Sequence, residues 1–363
     1  DDATWQAKNI VHENDGTNTF DVYYKGEFFG PIHLNVPGDH NIMNALASIA
    51  SAHYLGISAE DCRKGLLHFG GTDRRFQRKG EKNGIQVAGG ITSTQFVNGV
   101  RKPSYYDTFC YADPAHRAEY RRIVKELAEV FDEIILDDFF FTGCRCEMCI
   151  EQKGNRSWSR YRLDMMEQFS HEIVDLARSV NPKMNFIIKY PNWYESYQET
   201  GYNPGKQKDI FHKIYTGTET RDPIYSAQHL QRYESYSIIR LMENTAPGRN
   251  GGGWIDPFGS FDNMNAYLEQ AGLTMLAKAK ELMLFNFSIL VDHPALPPLG
   301  QQLYRIDPLM GSAGNPIGVS AWEPYDGDGE DQLYNYLGMG GIAVEPSPEF
   351  NDRAEMVLLT ETS

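Results

Sequence analysis

Apolar and polar residues alternate singly near the start of the chain, as in Phe20-Asp21-Val22-Tyr23-Tyr24 and Ile32-His33-Leu34-Asn35-Val36, with Lys25-Gly26 and Pro37-Gly38 as punctuation. A period of two bounded by turn residues predicts hairpin strands. From Asn41 the period lengthens: Ile42, Ala45, Leu46, Ile49 and Ala50 share a helical face that stops at Gly56. Ser58 followed by Glu60 and Asp61 then opens a second short helix with an acidic first turn.

From residue 85 onward, short apolar runs alternate with long amphipathic stretches, the pattern of a parallel sheet crossed by helices. Strands are expected at 85–91, 108–111, 133–137, 185–190, 210–215, 236–242 and 281–287. Helices are expected at 114–131, entered through Asp113 with Pro114 at the first position, and at 158–179. Those seven strands fall one short of a closed barrel of this type. The fold expected is therefore α/β: an incomplete (β/α)8 TIM-type barrel preceded by a separate α/β fragment. Glu81-Lys82-Asn83-Gly84 marks the break, because a hairpin turn there sends 85–87 antiparallel whereas a barrel needs the same residues parallel. The expected domains are 1–87, 88–300 and 301–363. The last is a post-barrel segment that closes on Met356-Val357-Leu358-Leu359-Thr360, a run of the buried parallel-strand kind that would begin a truncated accessory domain.

With 41% hydrophobic and 23% charged residues the chain reads as globular, and a net charge of -15 repels phosphate backbones and anionic headgroups. Nucleic acid and membrane partners are thereby excluded. No run approaches the roughly 18 to 20 apolar residues of a membrane span. The opening Asp1-Asp2-Ala3-Thr4-Trp5 has neither a basic nor an apolar leader region, so the expectation is a cytoplasmic protein.

The densest chemistry lies between 133 and 149. An apolar strand runs out into Asp137-Asp138, which is what the C-terminal mouth of a barrel offers to catalysis. Consecutive strand residues face opposite sides, so at most one of the pair points into the mouth unless the strand has already ended. A helix cap or a structural carboxylate is the alternative. Cys144, Cys146 and Cys149 form C-x-C-x-x-C, and Cys110 ends an earlier expected strand. Four thiolates suffice for a structural tetrahedral zinc, while reduced thiols or a disulfide are the bland reading.

Glu219 follows the 210–215 strand and Glu243 the 236–242 strand. Glycoside hydrolysis needs two carboxylates flanking the scissile bond, which either Glu could complete with Asp137 or Asp138. An ion pair of Glu219 with Arg221 or Lys213, and a loop cap at Glu243, are the competing readings. Lys189, Asn192, Trp193, Tyr194, Arg221, Gln228, His229, Trp254 and Asp256 crowd the same strand ends. Flat rings stack on apolar sugar faces while the polar groups bond hydroxyls, so a carbohydrate substrate is expected.

Two resemblances add to this reading. Gly38-Asp39-His40-Asn41-Ile42-Met43-Asn44-Ala45 with Gly70-Gly71-Thr72-Asp73-Arg74-Arg75-Phe76-Gln77 resembles the central ATP-binding domain of the Mur ligase family, most closely its UDP-N-acetylmuramate–L-alanine ligase branch. That resemblance, over residues 1–87, implies ATP and Mg, with His40, Asn41 and Asn44 near adenine and Arg74 or Arg75 near phosphates. The 363 residues hold no G-x-x-x-x-G-K-[ST], whose backbone N–H groups and Lys cradle the nucleotide, so the segment reads as an inactive remnant. Residues 88–363 resemble bacterial glycoside-hydrolase-like barrel proteins. The four cysteines resemble the zinc cluster of some barrel β-galactosidases, whose acid/base carboxylate lies a few residues earlier, in an Asn-Glu pair where this chain has Asp137-Asp138. A fusion of two partial genes, or an assembly artefact, accounts for both halves.

Overall fold

In the computed structural model, which describes residues 3–13, 17–36, 39–68, 89–91, 96–97, 100–101, 108–259, 263–291, 293–327 and 332–360, the period-two segments pair as expected. Strands β1 (Trp5–His12), β2 (Asn18–Tyr24) and β3 (Glu27–Leu34) form an antiparallel sheet in the order β1-β2-β3. One face, with Phe20, Val22, Ile32 and Leu34, packs on Ile42, Leu46 and Ile49 of helix α1 (Asp39–Tyr54). Helix α2 (Ala59–Leu67) starts where Ser58 caps the Asp61 N–H at 3.1 Å. The strand β1 was not among the sequence expectations. These elements belong to the first of two units, Asp1–Gln86 and Val87–Ser363. Of the ligase-like residues, Asn41 is half-buried and Asn44 exposed on α1. The side chain of His40, and Arg74, Arg75 and Asn83-Gly84 entirely, lie outside the described residues.

In the second unit, β4 (Gly89–Ile91) is followed by the small pair β5 (Phe96–Val97) and β6 (Val100–Arg101), then α3 (Pro114–Ala128), β7 (Glu133–Leu136), α4 (Glu147–Lys153), α5 (Trp158–Val180) and β8 (Asn185–Tyr190). After short helices α6 (Tyr197–Thr200) and α7 (Pro204–Gln207) come β9 (Lys213–Gly217), α8 (Glu234–Thr245), β10 (Asn250–Ile255), α9 (Met264–Leu276) and β11 (Glu281–Leu284). The large strands make one parallel sheet of six in the order β11-β10-β9-β8-β7-β4, an incomplete (β/α)8 barrel. The remaining elements are α10 (Phe287–Leu290), α11 (Leu296–Ser312), β12 (Val319–Trp322), α12 (Leu333–Met339), β13 (Val344–Ser347) and β14 (Val357–Leu358).

Two strand expectations change. Residues 108–111 hold only an isolated bridge at Thr108, because the Asp113 N–H turns back to the Cys110 carbonyl at 3.1 Å before α3 begins. Residues 236–242 lie in α8, where Ile238, Ile239, Leu241 and Met242 are all buried; a short apolar run does not by itself separate a buried helix from a strand. The strand stands instead at β10, hidden from a propensity reading by Gly251-Gly252-Gly253. Bare backbone is required there: a Cβ on Gly251 would lie 2.6 Å from the Tyr215 ring, and one on Gly253 2.7 Å from Thr218. The C-terminal expectation changes too. β14 is a half-buried strand of a parallel sheet ordered β13-β12-β14, with Met356 and Leu359 exposed beside it, so it has partners earlier in the chain.

The alternation in the large sheet fixes which side chains face inward. Ile135, Ile187, Tyr215, Trp254 and Met283 cluster on one face, while Ile134, Leu136, Phe186, Ile188 and Ile214 pack the other face into the main core with α3, α5 and α8.

Candidate active site and cysteine cluster

The inward parity of the strands carries straight on to polar residues at their C-terminal ends. Two steps beyond Ile135 is Asp137, two beyond Ile187 is Lys189, two beyond Trp254 is Asp256, and Tyr215 leads through Gly217 to Glu219. Four successive strands thus deliver three acids and one base to one end of the sheet.

Lys189 Nζ lies 2.7 Å from Asp137 Oδ1, 3.9 Å from Asp138 Oδ1 and 4.1 Å from the centroid of the Trp254 ring. Burial pushes the Asp137 carboxyl upward, but the Lys189 charge and hydrogen bond outweigh it and hold it below the usual range. For Asp138 burial wins: even with Lys189 pulling down, burial and the Asp137 charge push it up to about 7.

Glu219 is 5% exposed, and its Oε2 has no hydrogen-bond partner. Glycine at 217 makes room for it, since a Cβ there would stand 2.6 Å from that oxygen. Burial, then the negative charge of Asp256, with Asp138 contributing, pushes Glu219 up to about 8. Neither ion pair considered for it forms. Arg221 grips Asp256, with Nη2 at 2.7 Å and Nε at 3.2 Å from Oδ2, and Lys213 lies 3.7 Å from Glu281. Arg221 sits at φ 60°, a left-handed backbone uncommon for a branch-free cation, and its Nη1 donates to Gln228 Oε1 at 2.7 Å. Asn192 donates to the Glu219 carbonyl at 3.1 Å.

Other expected residues stand elsewhere. Glu243 is not at a strand end. It lies in the last turn of α8, and because α8 returns from the mouth to the start of β10, its C-terminal end is at the opposite end of the sheet. There Glu243 accepts from the Gly248 N–H at 2.9 Å, a loop cap. Tyr194 is 4% exposed and bonded to Glu195 and Asn335, and Trp193 packs on Phe141, Tyr197 and Tyr202 at 5.6–5.7 Å; both serve the core. Trp254 is buried beneath Lys189. His229 is exposed, bonded to the Ser226 carbonyl at 2.8 Å. A cavity of about 550 Å³ lies in the first unit beside Asp21, His33 and Arg63.

The four cysteines converge. The Sγ atoms of Cys110, Cys144, Cys146 and Cys149 lie within 4.8 Å of one another, with Cys110 to Cys146 and to Cys149 at 3.6 Å and Cys146 to Cys149 at 3.7 Å. Sulfurs bonded to one tetrahedral metal at about 2.3 Å stand about 3.8 Å apart, so the group could hold a metal ion. All are free thiols. Hydrogen bonding to Cys144 and Cys149, with burial, pushes the Cys110 thiol up. Arg145, Lys153 and Arg162 all lie 5.0–5.6 Å from the Trp158 ring at this loop, and Arg162 is near enough to Cys149 and Cys144 to feel their charges. Sequence spacing did not point to Arg162, which is buried and donates to the carbonyls of Gly143 and Glu199.

Residues 60–300 match the family model described as "Probable glycosyl hydrolase, catalytic domain". An uncharacterized protein of Saccharolobus solfataricus is 28% identical over 265 residues, 65% of this chain and 44% of that protein. The UDP-N-acetylmuramate–L-alanine ligase of Clostridium acetobutylicum is 52% identical over 87 residues, 24% of this chain and 19% of that enzyme. The chain therefore spans less than half the length of either relative. Among solved structures, a β-galactosidase from the Antarctic haloarchaeon Halorubrum lacusprofundi aligns at 13% identity over 71% of this chain and 54% of its own, with a TM-score of 0.47. Among the described residues no helix is long and apolar enough to cross a membrane.

Proposed function

This chain belongs to the family of probable glycosyl hydrolase catalytic domains, and from that premise we propose that it hydrolyses a glycosidic bond between Asp138 and Glu219. The observation that carries the proposal is the buried Glu219 carboxyl at the end of β9, with Oε2 unbonded and within reach of the Asp138 charge. Two acids that repel each other do not ionise together. Asp138 loses its proton first, leaving one carboxylate to stabilise or attack the anomeric centre while Glu219 keeps the proton that the leaving oxygen needs. Asp137 stays ionised against Lys189 and is a positioning group. Asn192, Arg221, Gln228 and Asp256 frame the sugar.

A screen of nitrophenyl glycosides with the wild-type chain and with Glu219→Gln tests this. Turnover by the wild type and its loss in the variant is expected. Glycan binding without turnover would replace the hydrolase with a sugar-binding barrel.

The cysteine cluster is proposed as a structural zinc site, because four protein ligands fill a tetrahedron and leave no open position. Thiolate ligation suits a reducing, cytoplasmic setting. The segment 1–87 is proposed as a ligase remnant joined to a barrel domain at 88–300 and a post-barrel segment at 301–363. The division of the chain after Gln86 supports the first boundary.

A further inference from the structure

Two aromatic rings at the mouth belong to none of the groups above. Phe258 and Phe285 are 38% and 43% exposed, with ring centroids 6.1 Å apart at 57°. Their backbone is nevertheless tied down. The Phe258 N–H donates to Asp256 Oδ1 at 3.0 Å, and the Phe285 N–H to the Ile255 carbonyl at 2.9 Å. Asp256 is in turn held by Arg221. Gly259, at φ +72°, lets the same turn press on the preceding mouth loop: a Cβ there would lie 2.4 Å from Ser226 Cβ. Tyr225, 59% exposed, rides on that loop.

Here the two exposed rings adjoin each other on a fixed backbone at the rim of a cleft lined by convergent polar groups, the setting of a binding surface. The buried ring of Tyr194 offers no such face, and that of half-buried Trp193 is packed on Phe141, Tyr197 and Tyr202. Ring faces of this kind bind the C–H faces of pyranoses. Among the described residues the cations at the rim are already committed, Lys189 to Asp137 and Arg221 to Asp256 and Gln228, while Asp138, ionised in the active form, adds negative charge. That balance disfavours a uronate and suits a neutral sugar.

We propose that Phe258 and Phe285 form a stacking platform for a neutral hexopyranose unit of an oligosaccharide, adjoining the Asp138 and Glu219 site. Its relation to the cleaved bond rests on the hydrolase reading; the stacking itself needs no turnover.

The test is titration calorimetry on the full chain carrying Glu219→Gln, so that hydrolysis does not intrude, with cellotetraose, mannotetraose and tetragalacturonate as probes. At least one neutral tetrasaccharide is expected to bind, about tenfold or more weaker in the Phe258→Ala/Phe285→Ala variant and within about twofold in the corresponding Tyr variant. Thermal melts confirm that the variants fold. Equal affinity in the Ala variant, no binding of either neutral probe, or tighter binding of tetragalacturonate would each overturn the platform. Tetrasaccharide binding that responds to the Phe variants, without turnover of any glycoside by the unmodified chain, would overturn the hydrolase reading and leave the platform standing.

Discussion

Lys189 Nζ stands 2.7 Å from Asp137 Oδ1, and this contact decides which of two adjacent aspartates is held ionised at neutral pH. The second aspartate is left with a proton to lose near neutrality, and Glu219 with one to lose slightly above it.

The pH dependence of kcat/KM follows. Activity needs Asp138 ionised and Glu219 protonated, so it should fall below about 7 as Asp138 gains its proton and above about 8 as Glu219 loses its own. A bell with those limbs is expected from initial rates between pH 5 and 10, on the order of those bounds; a flat profile across the range would exclude this pair.

Replacing Lys189 moves one limb in a known direction. Because the ammonium lowers Asp138, Lys189→Met should shift the acid limb to higher pH and cut the rate at pH 7 several-fold. It also acts on stability. Asp137 is held below its free value of 3.8, so its pairing stabilises the fold above that pH and the benefit is lost as pH falls through the lower folded value. Thermal melts of wild type and variant should therefore differ at neutral pH and converge in acid.

Glu219→Gln should lower kcat by on the order of 10² to 10⁴ while making the protein more stable. The folded carboxyl titrates at about 8 against 4.5 when free, so between those values the unfolded state releases a proton that the folded state retains, and stability declines as pH rises. An amide removes that decline. The variant should melt higher than the wild type at pH 8, with the gap closing toward pH 4.5. Glu243→Gln, at the far end of the sheet, should leave the rate unchanged.

Purified protein should carry about one zinc per chain by elemental analysis, as four thiolates at one tetrahedral centre require. Cys146→Ser should reduce the metal content and the melting temperature together. Protein that is metal-free when purified and reconstituted under reducing conditions would leave the cluster as buried thiols.

Much of the site was legible because strand parity is written in sequence: an apolar run that ends in Asp137-Asp138 and a C-x-C-x-x-C after it need no distant partner to be recognised. The convergence of Cys110 on that loop is expected from the resemblance to barrel β-galactosidases, although residues 108–111, read as a strand, hold only an isolated bridge. What failed depended on packing. Gly251-Gly252-Gly253 carries no strand propensity of its own, and its place in β10 depends on Tyr215 occupying the space of the missing side chains; without that strand the apolar run of α8 reads as one and Glu243 as a mouth residue. Tyr194 looked like a sugar-binding ring because burial is invisible along a chain, whereas Phe258 and Phe285, the exposed pair, carried no local signal.

The position of the cysteines also bears on how the chain would respond to mechanical load. Cys110 comes before α3, and Cys149 lies in α4 beyond β7, so a metal joining them would staple the chain around a complete helix and strand. Tension applied at the two termini would pass through the metal–sulfur bonds and bypass everything between. The bypassed stretch, if straightened, would measure about 130 Å, a length withheld from extension until the staple lets go.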